Sequence, residues 1–140
     1  MLSPSTFADK NELILITIAD ATVGSKQYIP ATAPTPSLGA MFVFDQPLKN
    51  EDMTEVLGTN SGFCIATKPG VYSQCQWTLT LQEGTITVAG QEYETGTSVI
   101  PIIGTTGIYA KYKGELRTTP NPNVAGTYIQ ILYFYLKLKN

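Results

Sequence analysis

The sequence predicts an all-β fold: a single closed antiparallel β-barrel of about eight strands, lipocalin-like, with an apolar internal cavity, spanning residues 1–140 as one domain. Three observations carry this. No segment keeps an apolar stripe at helical spacing for three turns. Short runs rich in β-branched and aromatic residues recur along the chain, separated by Gly, Pro and Asn. Those runs are apolar enough that open sheet edges would be a hazard, and closure removes edges. A barrel of about eight strands also leaves an interior that one small ligand can fill.

Taken in order, Leu13–Ile18 is a β-branched run that ends at Asp20. Gly24–Pro36 carries prolines at 30, 34 and 36, which lack a backbone donor, so this stretch reads as a loop or lid over the barrel. Gly39–Phe44 is the second strand, and polar Asp45–Glu55 a long connection. Phe63–Thr67 is the third strand, stopped by Lys68-Pro69-Gly70. Gln74–Leu81 alternates, with Cys75, Trp77, Leu79 and Leu81 on one face. Glu83-Gly84 signals a hairpin into Thr85–Ala89, where Ile86 and Val88 point inward. Ser98–Ile103, Ile108–Leu116 and Thr127–Lys137 complete the set.

Composition excludes several classes. With 9 Lys+Arg against 11 Asp+Glu the net charge is −2, which argues against nucleic acid as a partner. There is no His, so the commonest proton shuttle and metal ligand are both missing, and no metal or organic cofactor is expected. No apolar run reaches the ~20 residues of a membrane-spanning helix. The first ten residues are polar, with no basic start before an apolar stretch, so no secretory signal is expected and a cytoplasmic location is. Cys64 and Cys75 can form one disulfide or stay free. A cytoplasmic location favours free thiols, with Cys64 a small buried apolar residue.

Strand alternation nominates the interior. Phe42, Phe44, Cys64, Trp77 and Val88 are expected to line the pocket and bind substrate. If the strand from Thr85 continues, Glu92 shares the inward face with Ile86 and Val88. A buried carboxyl there would have a raised pKa and act as an acid. Asp20, at the end of the first run, is the second candidate catalytic carboxyl.

Five ordered segments also carry a family resemblance. They are Gly58-Thr-Asn-Ser-Gly-Phe-Cys64, Trp77-Thr-Leu-Thr-Leu81, Gly84-Thr-Ile-Thr-Val-Ala-Gly90, Ile103-Gly-Thr-Thr-Gly-Ile-Tyr109 and Tyr133-Phe-Tyr-Leu-Lys137. In order and spacing they resemble the allene oxide cyclase barrel-like superfamily, which includes allene oxide cyclases, dirigent proteins and spirotetronate-forming cyclases. The resemblance implies that Cys64 lines the cavity and that Phe44 stands at an aromatic position of its floor, with Phe42 on the same face. It puts Thr17 where the cyclases carry a glutamate and Ala19 where they carry an asparagine. A cavity tyrosine falls at Glu92, with Tyr93 adjacent. Thr17 and Tyr93 therefore join the expected substrate-binding residues, and a dimer or trimer is implied.

Together these readings anticipate a cofactor-free cyclase or isomerase. It would fold an elongated, largely apolar, polyunsaturated substrate for intramolecular ring closure, by [4+2] cycloaddition, electrocyclic closure or an allene-oxide-like route. The alternative is a dirigent-like or lipocalin-like binder without turnover.

Overall fold

A computed structural model describes residues 5–9, 11–30 and 37–137. Its strands are β1 (Ser5–Asp9), β2 (Glu12–Asp20), β3 (Ser25–Ile29), β4 (Met41–Lys49), β5 (Val56–Lys68), β6 (Tyr72–Leu81), β7 (Gly84–Tyr93), β8 (Ser98–Thr105), β9 (Tyr112–Pro120) and β10 (Thr127–Leu136). Among the described residues the helical content is one 3-10 turn, Gly107–Tyr109. Every described pairing is antiparallel. Eight strands follow one another around the wall as β2-β10-β9-β8-β7-β6-β5-β4, and a β2–β4 pairing closes it. β1 and β3 are flanking strands on β2 and β4.

The closing seam is short. It holds two residue pairs, Ile18↔Lys49 and Ala19↔Leu48, because β4 gives Met41–Asp45 to β3 and β2 gives part of its N-terminal half to β1. Between these pairings, Gln46 and Pro47 have no partner on that side of β4. Pro47 is tolerated here because a missing backbone donor costs least where no ladder continues. Gly24 lies against the same stretch with φ +88°, and a Cβ there would fall 2.2 Å from the Asp45 carbonyl oxygen. Only glycine permits that approach.

Inward side chains form layers. One end of the barrel is solid: Leu15, Leu48, Leu79, Ile86, Leu116 and Leu132 are fully buried. Phe134 lies between Tyr109 and Tyr112 there, with ring centroids at 5.5 and 5.7 Å, so the 3-10 turn seals that end. Apolar burial on this scale is the main favourable term in folding.

Several sequence expectations are corrected. Gly24–Pro36 is not all loop: Ser25–Ile29 is a strand paired with β4, and residues 31–36 lie outside the described residues. Asp45–Glu55 is not all connection, since β4 runs to Lys49. β5 starts at Val56, well before Phe63, through a segment whose glycines weaken its strand signal. The ninth strand begins at Tyr112, after the 3-10 turn. Cys64 and Cys75 are not free: they stand opposite each other on β5 and β6 and form a disulfide.

Asp20 and Lys49 staple the seam, Lys49 Nζ donating to Asp20 Oδ2 at 2.8 Å. Asp20→Asn is expected to destabilise the fold by about 1.5–3 kcal/mol, the range for a hydrogen bond to a charged group. Urea unfolding of the variant at neutral pH checks this; an unchanged midpoint would remove Asp20 from the seam.

Candidate functional site

The layer above the solid end is polar. Gln46 on β4 and Asn60 on β5 are direct cross-strand neighbours, and both are buried. Gln130 on β10 lies between Thr17 on β2 and Thr118 on β9, and all three are buried. Trp77 crosses this level from β6. It has room because Gly62 stands opposite it: a Cβ at Gly62 would fall 2.5 Å from Trp77 Cβ.

Above this layer a pocket of about 350 Å³ opens toward the other end of the barrel. A second lobe of about 290 Å³ adjoins it and shares Phe42, Cys64, Glu92 and Tyr128. One wall is a column of rings from mouth to floor. Tyr28, Phe42, Phe44 and Trp77 follow at centroid distances of 4.6, 5.6 and 6.3 Å. Alternation along β4 places Phe42, Phe44 and Gln46 on the same face, and β3 adds Tyr28 through the Tyr28↔Phe42 pairing. The remaining wall holds Tyr128, Thr118, Glu92 and the disulfide.

Glu92 is half-buried, with Oε1 3.9 Å from the Cys75 sulfur. A disulfide sulfur carries no proton, so this is a contact and not a donated hydrogen bond. Burial pushes the Glu92 carboxyl up to about 7. Tyr128 titrates above the ordinary phenol value, through burial first and then through the negative charges of Glu92 and Tyr28. Glu92 can therefore hold or release a proton near neutral pH, which suits general acid–base work. The Cys64 and Cys75 sulfurs and a Glu92 oxygen lie within 4.8 Å of one another. With both sulfurs tied up in the disulfide, a single carboxylate is left as a potential ligand there.

The structure brings together Phe42, Phe44, Cys64, Trp77 and Glu92 from the expected set. Tyr93 is on the opposite phase of β7, exposed, and packs edge-on against Tyr72 at the rim of the outer lobe. Three expectations are corrected. Val88 points inward but is fully buried in the solid core, below the pocket. Thr17 is also fully buried and outside the lining. Asp20 has the phase of Ile18, not of inward Thr17 and Ala19, so its carboxylate meets Lys49 at the seam. Burial alone would raise its pKa. Lys49 and the Thr22 hydroxyl and amide donors outweigh that and hold it below the ordinary value, so the carboxylate expected to act in the pocket is instead an ion-pair partner at the seam. An apolar interior was expected, but Gln46, Asn60 and Gln130 add carboxamides to the lining. Their phase with Phe44, Cys64 and Leu132 was the signal that could have found them.

The protein is thus an eight-stranded barrel with an aromatic-walled pocket that holds a protonatable carboxyl. A family model described as the allene oxide cyclase barrel-like domain matches residues 19–132, and the chain belongs to that family. No curated protein matches by sequence. Among solved structures, a pyocyanin demethylase is similar with a TM-score of 0.69 and 22% identity, over 86% of this chain and 98% of that one. The pterocarpan synthase dirigent protein PsPTS1 has a TM-score of 0.73 and 15% identity, over 95% of this chain and all of that one. The Diels Alderase AbmU from Streptomyces koyangensis has a TM-score of 0.71 and 18% identity, over 95% of this chain and 75% of that one. At these identities the likeness is one of fold.

The raised pKa has a stability consequence of definite sign. The folded state holds the Glu92 proton more tightly than the unfolded chain. The associated stability is full below about 4.5 and is lost as pH rises through about 7. Glu92→Gln, which cannot ionise, is expected to raise the melting temperature relative to wild type at pH 8.5 and to leave it nearly unchanged at pH 4. Paired thermal melts check this; equal offsets at both pH values would show Glu92 to be solvated.

Proposed function

We propose that the chain is a cofactor-free cyclase or isomerase. It folds an elongated, conjugated, mostly apolar small molecule against the ring column and closes a ring within that molecule. The observation that carries this reading is the pocket itself: four aromatic side chains in series facing one carboxyl that titrates near 7. Positioning alone is worth roughly 7–11 kcal/mol in the best intramolecular cases. Phe42, Phe44 and Trp77 do the positioning. Glu92 donates a hydrogen bond to, or takes a proton from, the end of the substrate near the disulfide. Membership of a cyclase-named family supports this, as does a fold shared with a Diels Alderase. A dirigent protein of the same fold supports the alternative, a binder that orients its ligand without turnover.

Two further proposals accompany it. The outer face of β10 presents half-buried Ile129, Ile131 and Tyr133, with half-buried Ile16 and Ile14 of β2 beside them and exposed Tyr135 at the end. We read this stripe as the contact of a homo-oligomer, a dimer or trimer. Light scattering at micromolar concentration should give a multiple of the 15.2 kDa chain mass, and a monomer mass would defeat it. Among the described residues no helix is long and apolar enough to cross a membrane. A structural disulfide persists in oxidising surroundings, so it favours such a compartment over the cytoplasm expected from the sequence.

Ring closure of this kind conserves mass. Purified protein without added cofactor, given linear conjugated polyenes that carry a diene and a dienophile, is expected to yield an isomer of identical mass with loss of diene absorbance. Trp77→Ala should lower the rate at least 10²-fold. Glu92→Gln should cost less than about 10²-fold, the low end for general acid–base catalysis. Saturable binding with no isomer formed across the series would favour the binder. A loss of ~10⁴-fold in Glu92→Gln would transfer the mechanism from shape to proton transfer.

A further inference from the structure

We propose that the polar layer beneath the pocket is a hydroxyl-recognition subsite, so that the ligand enters head first with a neutral alcohol, phenol or enol group reaching Asn60, Gln130 and Trp77. This deepens the reading above and rests on its claim that the pocket holds a small molecule.

The starting point is an unmet requirement. Buried polar side chains in folded proteins are nearly always hydrogen-bonded, and one left without a partner is costly. Asn60, Gln130 and Trp77 are 3%, 2% and 3% exposed. Asn60 Oδ1, Gln130 Oε1 and Trp77 Nε1 are buried and have no hydrogen-bond partner among the described residues. All three side chains belong to the lining of one pocket. They come from β5, β10 and β6, so the barrel gathers them from separate parts of the chain. Leu79 beside Asn60 and Leu132 next in phase to Gln130 offer no polar atom, and the nearby Gln46, Thr17 and Thr118 make no hydrogen bond to the three orphaned atoms. Packing alone would be served as well by leucine, methionine or phenylalanine at these positions.

The chemistry of the atoms selects the head group. The indole N–H is a donor only, and each carboxamide offers an acceptor and two donors. A hydroxyl both donates and accepts, so it can serve an amide oxygen and the indole together. An ether can only accept, and a hydrocarbon can do neither. Charge selects further. The carboxamides and the indole are neutral. The one Lys in the lining, Lys26, donates to the Ala21 carbonyl at 2.8 Å on the rim side. A carboxylate or phosphate head would be buried there without a counter-ion, which is strongly unfavourable. Glu92 lies further toward the mouth along β7, beyond Val88 and Gly90, and its carboxyl meets the disulfide. It therefore acts on the part of the ligand above the head. The ring column runs down to Trp77 and gives a conjugated body a surface to lie on as the head descends.

The test uses 2-naphthol, 2-methoxynaphthalene and 2-methylnaphthalene, three probes with the same ring system. Binding is measured by calorimetry and by the indole N–H resonance, which is single because Trp77 is the only tryptophan. The expected result is that 2-naphthol binds at least tenfold more tightly than either other probe and moves the indole resonance saturably downfield. In Asn60→Leu and Gln130→Met that preference should fall below about threefold, with 2-methylnaphthalene bound at least as well as by wild type. Both variants should melt no lower than wild type, because each removes an unpaired buried polar group. If either fails to fold, the preference and indole shift of the wild type still decide. Equal binding of 2-naphthol and 2-methylnaphthalene overturns the subsite and leaves the pocket reading intact. Equal binding of 2-naphthol and 2-methoxynaphthalene, both above 2-methylnaphthalene, overturns the hydroxyl assignment. A preference that survives both substitutions puts the head elsewhere. If no probe binds, the subsite and the pocket reading fall together.

Discussion

A barrel has to close, and here closure rests on the narrowest contact in the wall. β2 meets β10 through nine consecutive pairs but meets β4 through only two. Strand stagger and barrel closure are linked, so a strand that leaves one neighbour early must find another or expose an edge. β2 and β4 do so by taking on β1 and β3 where they part from each other. The Asp20–Lys49 pair sits beside the two shared rungs and reinforces them with charge. The position of the pocket follows from this arrangement. Where β3 has ended and β2 has not yet joined, β4 carries Gln46 and Pro47, and Gln46 faces the pocket.

Most strands were legible because their interior is half of a two-residue alternation. Gln74–Leu81 reads correctly since each apolar side chain in it has a polar neighbour on the outer face. β3 was not legible: its five residues are all exposed, so no alternation marks it, and the prolines that follow suggest a loop. The first half of β5 was hidden for a different reason. Gly58 and Gly62 carry no side chain to show a phase, yet both positions are needed, since a Cβ at either would collide with β6. A sequence shows what a residue is and not what its neighbour needs it to lack.

The candidate site divides along the same line. Phe42, Phe44 and Trp77 were found because large apolar residues in phase declare an interior. Glu92 was found by extending the phase of β7 past its apolar part. Asp20 misled because it ends an apolar run, yet its phase is that of the outer face. Asn60 was passed over because it precedes the strand read from Phe63, and Gln130 because one polar residue within the apolar run Thr127–Lys137 draws no notice until the barrel brings others beside it. The disulfide was undecided because two cysteines eleven residues apart pair only if the hairpin register sets them opposite, and that register depends on the turn at Pro69-Gly70.

The cross-link also gives the pocket unequal walls. Cys64 and Cys75 tie β5 to β6 covalently, and both strands are paired along most of their length on each side. That wall is stiff. The facing wall includes β3, which pairs with β4 alone among the described residues, and the two-rung seam beside it. Compliance is therefore concentrated where Tyr28 and Lys26 border the mouth. If the pocket takes a small molecule as proposed, a guest bulkier than the resting pocket would find the least-tied backbone at this margin. Glu92 lies toward the end of β7, past the described β7–β8 pairs, and is held through its pairing with β6 and its contact with the disulfide. The barrel thus sets a covalent tie and a sparsely paired margin at different parts of one wall.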